Sequence, residues 1–456
     1  MTDPQPSQFL AGVIEGFYGA PWPQAERLEL LDQLPVWGLN TYLYAPKDDL
    51  NHRAAWRECY GPDQAETLRQ LASRCQSNQV RFIYALSPGL DICYSNPDEL
   101  TCLQRRLQQL ITFGCDHFAL LFDDIPDQIN PADQSRWHSL AAAQSHVANS
   151  LYAWAQQQLP SVRFLFCPTP YCGRMALRGL GGPDYLPVLG QQLHPQIDVF
   201  WTGPEIISQE IPLQGIRELQ KLLRRKPVIW DNLHANDYDG RRFYCGPYSG
   251  RSLKLRAEVR GLLSNPNNEL PLNHVPLQTL GAFVHCQQAW NPRPEYQQAM
   301  SDWLDRFSTT GQPVALEDLM LLGDCFYLPH EDGPDAQRLF ALAEQLVQTP
   351  PAKWKEEAAQ FLDQSARLRK LCTQLTELKQ RSLFHALSRR LWELREELDL
   401  FENFVRWGQG DRTTPFASDA HLPGTYRGGF VPRLQRLLIQ QPDGTFTSAP
   451  HGSRTG

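Results

Sequence analysis

The sequence predicts a (β/α)8 barrel of the α/β class, followed by an all-α helical bundle. The barrel is predicted because eight short β-rich runs alternate with amphipathic stretches of helical length from residue 9 to about residue 290. A doubly wound sheet would more often contain fewer strands and a glycine-rich first turn, and the first turn here, GFYGAPW, lacks phosphate-loop spacing. The bundle is predicted because the chain shows only helical spacing after the proline-rich joint NPRPEY at Asn291.

Each predicted strand is a short run of mainly apolar, β-branched or aromatic residues, the pattern of strands that are buried in a parallel sheet. The runs are FLAGVIEGF from Phe9, NTYLYAP from Asn40, RFIYALSPG from Arg81, HFALLFDDI from His117, VRFLFCPTP from Val162, DVFWTGPE from Asp198, PVIWDNLHA from Pro227 and TLGAFVHC from Thr279. Stretches with one apolar helical face, such as AERLELLDQL, separate them. The repeated unit is therefore a strand followed by a helix.

The second part of the chain contains three predicted helices. Apolar residues alternate at spacings of four and three from Arg381 to Val405 and from Trp354 to Leu378, and LEDLMLLGDCFYL supplies a shorter helix. The apolar face either supports the barrel or pairs with a second subunit, so a homodimer remains an open interpretation. We predict a barrel domain over residues 1–290, a helical domain over 291–440 and a disordered tail over 441–456.

Composition and charge narrow the class of protein. The 456 residues include 12 Trp, 15 Tyr and 21 Phe, which is typical of a folded protein with more than one core. The net charge of -7 argues against nucleic acid as a main partner, since phosphate binding requires a basic surface. The eleven cysteines show no CxxC spacing, and we find no secretion signal or long apolar run. These features predict a cytoplasmic protein without a disulfide framework, a zinc ribbon or a membrane span.

The barrel prediction locates the functional site, because active sites of such barrels lie at the carboxyl ends of the strands. Polar and aromatic residues gather at these ends in most of the predicted strands. They are Glu15 and Gly16, Lys47, Asp48 and Asp49, Asp123 and Asp124, Tyr171, Trp201 and Thr202, Trp230, Asp231 and Asn232, and, slightly beyond, Asp237. So many hydrogen-bonding groups at one rim predict a site for a ligand with many hydroxyls.

Asp123 and Asp124 lie at the end of the run HFALLFDDI, directly after its apolar residues. Carboxylates are rarely buried without partners, so this pair needs hydrogen bonds, a metal or a catalytic task. A purely structural interpretation is that Asp124 caps the next helix while Asp123 pairs with a lysine or arginine. Hydrolysis of a glycosidic bond would instead use one carboxyl as an acid and the other to support the reacting carbon. The pair alone does not decide, because metal hydrolases use the same residues.

Longer stretches carry a resemblance that the pair alone does not. The first 290 residues resemble the catalytic domain of family 84 glycoside hydrolases, the O-GlcNAcases, which remove β-linked N-acetylglucosamine (GlcNAc) from serine and threonine of proteins. The matching stretches are GVIEGFYGAPW, LNTYLYAPKDD, YALSPGLDI, FALLFDDI, FLFCPTPYCG, FWTGPE, VIWDNLHANDYD, GPYSGRS and LLSNPN. LEDLMLLGDCFYLPHEDGP and YRGGF resemble the helical stalk of the animal enzymes. A long insertion before LEDL and an acetyltransferase-like domain are lacking, which suggests a bacterial relative.

The resemblance implies a reaction that retains configuration and is assisted by the substrate. The acetamido oxygen of the sugar attacks its own anomeric carbon and forms an oxazoline. By position in DDI, Asp123 would orient the acetamide N–H. Asp124 would protonate the leaving oxygen and then deprotonate water, which needs one poised group beside another that stays ionised. No metal or cofactor is implied.

The resemblance also implies residues that bind the sugar hydroxyls. Gly16 permits close approach of the backbone and Lys47 donates to a hydroxyl, while Asp237 and Asn265 bind at the far side of the ring. Each has a structural alternative that the sequence leaves open. Lys47 could neutralise Asp48, and Asn265 could be a turn residue.

Three further residues match the pocket for the acetamido group. Tyr171 and Trp230 would supply aromatic walls for its methyl group, and Asn232 would bond its acyl oxygen or the intermediate. The two aromatic residues could instead belong to the core.

Other functions remain open at this level. The barrel could bind carbohydrate without turnover, cleave free or cell-wall GlcNAc oligosaccharides, or hold a metal through His234, Asp237 and Asp239. The partner implied by the resemblance is an O-GlcNAc-modified protein or peptide, or a GlcNAc-terminated glycan.

Overall fold

The structure is a computed structural model, and it describes residues 9–354, 356–410, 412–420 and 429–449. The chain divides into two compact units. The first comprises the chain up to Asp237, Tyr248–Leu270 and Leu277–Asn291, and the second comprises Tyr238–Pro247, Pro271–Pro276 and the chain from Pro292 onward. The division at Asn291 falls at the proline-rich joint, but two short earlier segments group with the second unit.

Eight parallel strands close into a barrel in which each strand pairs with the next and the last pairs with the first. This confirms the predicted fold class. The strands are β1 (Leu10–Glu15), β2 (Thr41–Tyr44), β3 (Arg81–Leu86), β4 (His117–Leu121), β5 (Phe164–Cys167), β6 (Asp198–Trp201), β7 (Val228–Asp231) and β8 (Gly261–Ser264). All of their residues are buried except Arg81 and His117, which are partly buried, as expected for strands with a packed interior and a helical cover.

Helices connect the strands. They are α1 (Gln24–Gln33), α2 (Pro62–Ser77), α3 (Pro97–Thr112), α4 (Leu140–Gln158), α5 (Gly173–Leu177), α6 (Tyr185–Gln192), α7 (Leu213–Leu223), α8 (Leu255–Glu258) and α9 (His274–His285). The sequence sets several of their starts. Asn96 caps α3 by accepting a hydrogen bond from the backbone N–H of Asp98, and Ser139 caps α4 in the same way.

The prediction of the eighth strand was wrong. The run TLGAFVHC from Thr279 lies in α9, and the closing strand is the shorter run GLLS of β8. A short apolar run does not distinguish a buried strand from a buried helix, and tertiary packing decided here. Gly281 allows α9 to approach the backbone of Trp37 closely, because a Cβ atom at this position would lie 1.9 Å from the carbonyl oxygen of Trp37.

The second unit is helical, as predicted. Its helices are α10 (Pro292–Trp303), α11 (Leu316–Cys325), α12 (Pro334–Gln348), α13 (Glu356–Leu375), α14 (Arg381–Gln409) and α15 (Phe430–Gln435). The apolar positions predicted for the long helix, from Leu383 to Val405, are buried along α14. Helices α13 and α14 pack against each other, so this apolar face is covered within the unit. No described helix of the chain is both long and apolar enough to cross a membrane.

Residues 441–449 differ from the disordered tail that we expected. Strands β9 (Leu438–Gln440) and β10 (Phe446–Ser448) form an antiparallel hairpin. Its turn contains Gly444 at φ +84°, and Phe446 is buried against Phe416, with ring centroids 5.6 Å apart. Residues 450–456 and the first three residues of YRGGF lie outside the described residues.

Candidate active site

The alternation of side chains along the strands positions most of the predicted site residues. Successive residues of a strand face opposite sides. The barrel core contains Leu43 of β2, Ala45 just after β2, and Ala119 and Leu121 of β4. The next inward positions lie beyond the strand ends, at the rim. They are Gly16 after β1, Lys47 after β2, Ser87 after β3, Asp123 after β4, Asn232 after β7 and Asn265 after β8.

Lys47 and Asp123 form a buried ion pair. The side chains are 2% and 9% exposed, and the Lys47 ammonium donates to Asp123 Oδ2. The alternative pairing of Lys47 with Asp48 is not found in the described residues; Asp48 instead accepts a hydrogen bond from the backbone N–H of Gly19 at 3.2 Å. Burial alone would raise the pKa of Asp123, but the Lys47 charge and hydrogen bond outweigh it and hold that pKa below its usual range. Asp123 is therefore ionised at neutral pH.

The second oxygen of Asp123 is available. Oδ1 is buried and has no hydrogen-bond partner among the described residues. An ionised oxygen without a donor is costly in a buried setting, so a ligand N–H at this position would be strongly favoured.

Asp124 has a different environment from its neighbour. It is exposed, and its carboxylate accepts hydrogen bonds from the hydroxyls of Tyr18 and Tyr171, both at 2.9 Å. It does not cap the next helix, because Ser139 does so. Its backbone φ of +50° lies in the left-handed region, which non-glycine residues rarely adopt. Such backbone outliers cluster at functional sites.

The two tyrosines remain protonated donors. Burial, followed by the charge of Asp124, raises the pKa of Tyr18 and of Tyr171 well above the usual range. Tyr171 is 8% exposed and belongs to the barrel core cluster, whereas Tyr18 is 43% exposed. The core alternative for Tyr171 is thus partly correct, but its hydroxyl contacts the carboxylate.

An indole and two amides form a second group at the rim. Asn232 Oδ1 accepts from Trp230 Nε1 at 3.0 Å and from Asn265 Nδ2 at 2.9 Å, and Asn232 Nδ2 donates to the carbonyl of Ile206 at 2.8 Å. These bonds fix all three side chains. The oxygen Asn265 Oδ1 is buried without a hydrogen-bond partner in the part of the chain that the structure describes.

The Trp230 ring lies close to both Gly16 and Lys47. A Cβ atom at Gly16 would lie 2.5 Å from the Trp230 ring, so only glycine allows the indole its position. The Lys47 ammonium lies 5.9 Å from the centre of the same ring. Trp230 also packs edge-on against Phe200, with ring centroids 5.4 Å apart, so it is both a core residue and a wall of the site.

Asp237 lies at the same rim and is half-buried. Its Oδ2 accepts a hydrogen bond from the backbone N–H of Tyr18 at 3.1 Å. Within the described residues, no group of three or more His, Cys, Asp or Glu side chains is arranged to hold a metal ion.

Three acidic residues that the rim prediction included have structural partners. Glu15 binds Arg27 and the backbone of Trp22, Asp231 binds Arg251 and Tyr248, and Asp49 accepts from Tyr44 and Tyr60. These carboxylates stabilise the rim and are not open to a ligand.

Sequence reasoning missed Tyr18, His52 and Arg53 as site residues. His52 Nδ1 lies 2.7 Å from the carbonyl of Ala85, which can only accept, so Nδ1 carries the hydrogen. Burial and the charge of Lys47 lower the pKa of His52 to about 4, so the imidazole is neutral at pH 7. The motif KDDLNHR contains both residues 52 and 53, but only the fold brings them to the site.

Comparisons with known proteins identify relatives of this chain. A family model described as beta-N-acetylglucosaminidase matches residues 11–319. The Protein O-GlcNAcases of Rattus norvegicus and Mus musculus are each 49% identical to the chain over 276 residues, which is 60% of this chain. The match covers 30% of the length of each of these relatives.

A solved structure extends the likeness beyond the barrel. A mutant of the O-GlcNAc hydrolase of Thermobaculum terrenum is 27% identical, with a TM-score of 0.75 and coverage of 88% of both chains. The family model spans more than half of the chain and includes every residue of the site. The chain therefore belongs to the β-N-acetylglucosaminidase family, family 84 of the glycoside hydrolases.

Proposed function

We propose that this protein is a retaining β-N-acetylglucosaminidase that removes O-linked GlcNAc from serine and threonine of proteins or peptides by substrate-assisted catalysis. One observation carries the proposal. Asp123 and Asp124 are adjacent in the chain, yet one is buried against a lysine and the other is exposed between two phenols. Two carboxyls with such different environments suit two different tasks.

Asp123 would act on the acetamido group. Its open oxygen, Oδ1, can accept the amide N–H of the sugar, which increases the electron density on the acetamido oxygen and directs it at the anomeric carbon. Positive charge develops on the forming oxazoline ring, and an ionised carboxylate stabilises it. The Lys47 partner supports this role, because it keeps Asp123 ionised.

Asp124 would transfer the proton. Its exposed position suits contact with the leaving serine or threonine oxygen and then with water. In the first step Asp124 donates a proton to the glycosidic oxygen as the C–O bond breaks. In the second step it takes a proton from the water that attacks the oxazoline, which restores the acid and retains the configuration.

The remaining residues would bind the sugar. Trp230 and Tyr171 would enclose the acetamido methyl group, and the bonds of Asn232 to Trp230 and Ile206 hold its amide in place. Lys47 uses one N–H on Asp123 and has others for a hydroxyl. Asp237 and the open Oδ1 of Asn265 would accept from further hydroxyls. The list of proposed binding residues is Gly16, Lys47, Tyr171, Trp230, Asn232, Asp237 and Asn265.

Turnover of two substrates side by side tests the reaction and the natural leaving group. We expect kcat/KM for a peptide carrying GlcNAc on serine to exceed that for chitobiose. The reverse order would assign the protein to free or cell-wall oligosaccharides. No turnover of either, together with binding of GlcNAc, would make the barrel a carbohydrate-binding module. Loss of activity in a chelator would favour the metal hydrolase.

Two variants test the division of tasks. Asp123→Asn should slow good and poor leaving groups alike, whereas Asp124→Asn should spare nitrophenyl glycosides, which need no protonation on departure. Equal losses for both variants on both substrates would contradict the separate roles. A thiazoline that mimics the oxazoline should inhibit the wild-type protein, and failure to inhibit would count against substrate assistance.

We also propose that the protein is a homodimer and is located in the cytoplasm. All eleven cysteines are free thiols, which agrees with a reducing compartment. The apolar face of α14 is covered within its own unit, so a second subunit would need another surface, and Trp392 on α14 is 58% exposed. A dimer mass by light scattering at micromolar concentration supports this, and a monomer mass refutes it.

A further inference from the structure

Arg53 joins three loops of the site. Arg53 is almost fully buried. Its Nη1 donates to the Tyr18 hydroxyl at 2.9 Å, and its Nη2 donates to the main-chain carbonyl of Asp124 at 2.7 Å. The Tyr18 hydroxyl in turn donates to Asp124 Oδ2 at 2.9 Å. These three residues close a ring of hydrogen bonds, which we call the Arg53 ring. It connects the segments that follow β1, β2 and β4.

The chemistry of a guanidinium fixes the direction of each bond in the Arg53 ring. Arginine has donors only, so the Tyr18 oxygen must accept from Arg53. The single phenolic hydrogen of Tyr18 then points at Asp124 Oδ2. Tyr18 is thereby held as a donor and cannot turn to accept a proton from the carboxyl.

Tyr171 is free of this constraint. Its hydroxyl donates to Asp124 Oδ1 at 2.9 Å, and no described arginine or lysine donates to it in return. Rotation of this O–H would let it accept instead. A proton on Asp124 Oδ2 would face the fixed hydrogen of Tyr18, whereas a proton on Oδ1 can point at the Tyr171 oxygen once that hydroxyl has rotated. When Asp124 takes up a proton, Oδ1 is therefore the oxygen that can carry it.

Arg53 has a second role, which is to bind the main-chain carbonyl of Asp124. Asp124 has a φ of +50°, and a bond from a charged donor to its carbonyl opposes relaxation to the ordinary region. Relaxation would turn the carboxyl away from both tyrosines.

We propose that Arg53 is a positioning residue for proton transfer, which holds Tyr18 as a fixed donor to Asp124 Oδ2 and so places the transferable proton on Oδ1. The inference rests on the proposed function, since it assumes that Asp124 is the acid. Arg53 is buried and bonded to Tyr18 and to the Asp124 carbonyl, so we assign it no contact with the substrate. Its effect acts through Tyr18 and through the backbone of Asp124.

Three variants separate the parts of this role. Arg53→Lys keeps a positive charge but loses the two-pronged donor, and Tyr18→Phe removes one side of the ring while leaving the bond from Arg53 to the carbonyl. Arg57→Lys is the matched control, because Arg57 lies in the same loop and pairs with Asp91 and Glu99 instead. The readouts are kcat/KM on aryl β-N-acetylglucosaminides of good and poor leaving groups, its pH profile and the unfolding temperature.

We expect Arg53→Lys to lose about 10- to 100-fold on poor leaving groups and less than about 3-fold on good ones, part of the 10²–10⁴-fold that general acid catalysis supplies. Tyr18→Phe removes a donor that favours the ionised carboxyl, so the basic limb of its pH profile should move to higher pH. The Arg53→Lys/Tyr18→Phe double variant should lose less than the product of the single losses, because the ring is already open. Arg57→Lys should match the wild type in all three readouts.

Equal losses of Arg53→Lys on good and poor leaving groups, with an unmoved pH profile, would overturn the proposal and leave a structural role. If Arg53→Lys does not fold, the shifted basic limb of Tyr18→Phe decides, and an unshifted limb overturns the proposal. Asp124→Asn distinguishes the two levels of the argument. If it spares good leaving groups while Arg53→Lys does not, only the role of Arg53 fails; if Asp124→Asn does not discriminate, the proposed function fails and the Arg53 role fails with it.

Discussion

The replacement Lys47→Met tests whether the ion pair with Asp123 holds the site in its charged state. Both side chains are more than nine-tenths buried, so removal of the ammonium leaves an unpaired carboxylate in the interior. Breaking a buried pair in this way costs about 3–5 kcal/mol. For a domain of about 250 residues, at about 2–4 °C per kcal/mol, this lowers the unfolding temperature by roughly 6–20 °C.

The pH dependence of this loss is the sharper test. In the wild-type protein the pKa of Asp123 is lowered, so its contribution to stability is fully present above the unfolded value of about 3.9 and is lost only as pH falls below it. Without Lys47, burial dominates and raises the pKa of Asp123. The variant then loses stability as pH rises from about 4, because a buried carboxyl must ionise. The difference between variant and wild type should therefore be larger at pH 8 than at pH 5.

Thermal unfolding followed by circular dichroism at pH 5, 6, 7 and 8 measures this difference. The Lys47→Met/Asp123→Asn double variant removes both charges and should be more stable than Lys47→Met alone at pH 8. An unfolding temperature of Lys47→Met that differs from wild type by the same amount at pH 5 and pH 8 would refute the reasoning, as would a double variant that is no more stable than the single one.

Three further predictions concern other contacts. Gly16→Ala places a methyl group 2.5 Å from the Trp230 ring, so we expect a loss of about 1–3 kcal/mol of stability and a KM raised at least about 10-fold; a KM within twofold of wild type contradicts this. Arg251→Met breaks a buried pair with Asp231 that does not face the ligand, so the unfolding temperature should fall by several degrees while kcat/KM of the folded enzyme stays within about threefold. Glu397 is fully buried, and burial raises its pKa to about 7. Protonation of Glu397 stabilises the fold fully at pH values below about 4.3, the ordinary pKa of an unfolded glutamate, and this stabilisation is lost as pH rises through about 7. Glu397→Gln should therefore reduce the fall of the unfolding temperature between pH 5 and pH 8.

Local patterns were enough to predict the barrel and the rim where the candidate site residues lie, whereas the individual roles came from the family resemblance. The composition of apolar runs such as HFALLFDDI predicts strands, and the order of strand and helix then predicts the barrel. The period of two then assigns Lys47 and Asp123 to the interior, two residues beyond Ala45 and Leu121. Where a run was too short to distinguish strand from helix, as from Thr279, the prediction failed.

Pairings between distant residues were not predictable. Asp48 is adjacent to Lys47 in sequence, but the partner is Asp123, 76 residues away. The Arg53 ring likewise depends on three loops that only the closed barrel brings into register. A sequence states which charges exist, but the pairing depends on distances that the tertiary fold sets.

The left-handed backbone at Asp124 explains how two adjacent residues can serve one site. On a regular strand, neighbouring side chains face opposite sides, so Asp123 facing inward would send Asp124 outward into the helical layer. The chain leaves the strand after Leu121 and turns at Asp124, which returns its carboxylate to Tyr18 and Tyr171 at the rim. The strained φ is therefore the means by which the second carboxyl reaches the pocket. It follows that a residue which secures this turn, as Arg53 does, matters to the chemistry without contacting the sugar.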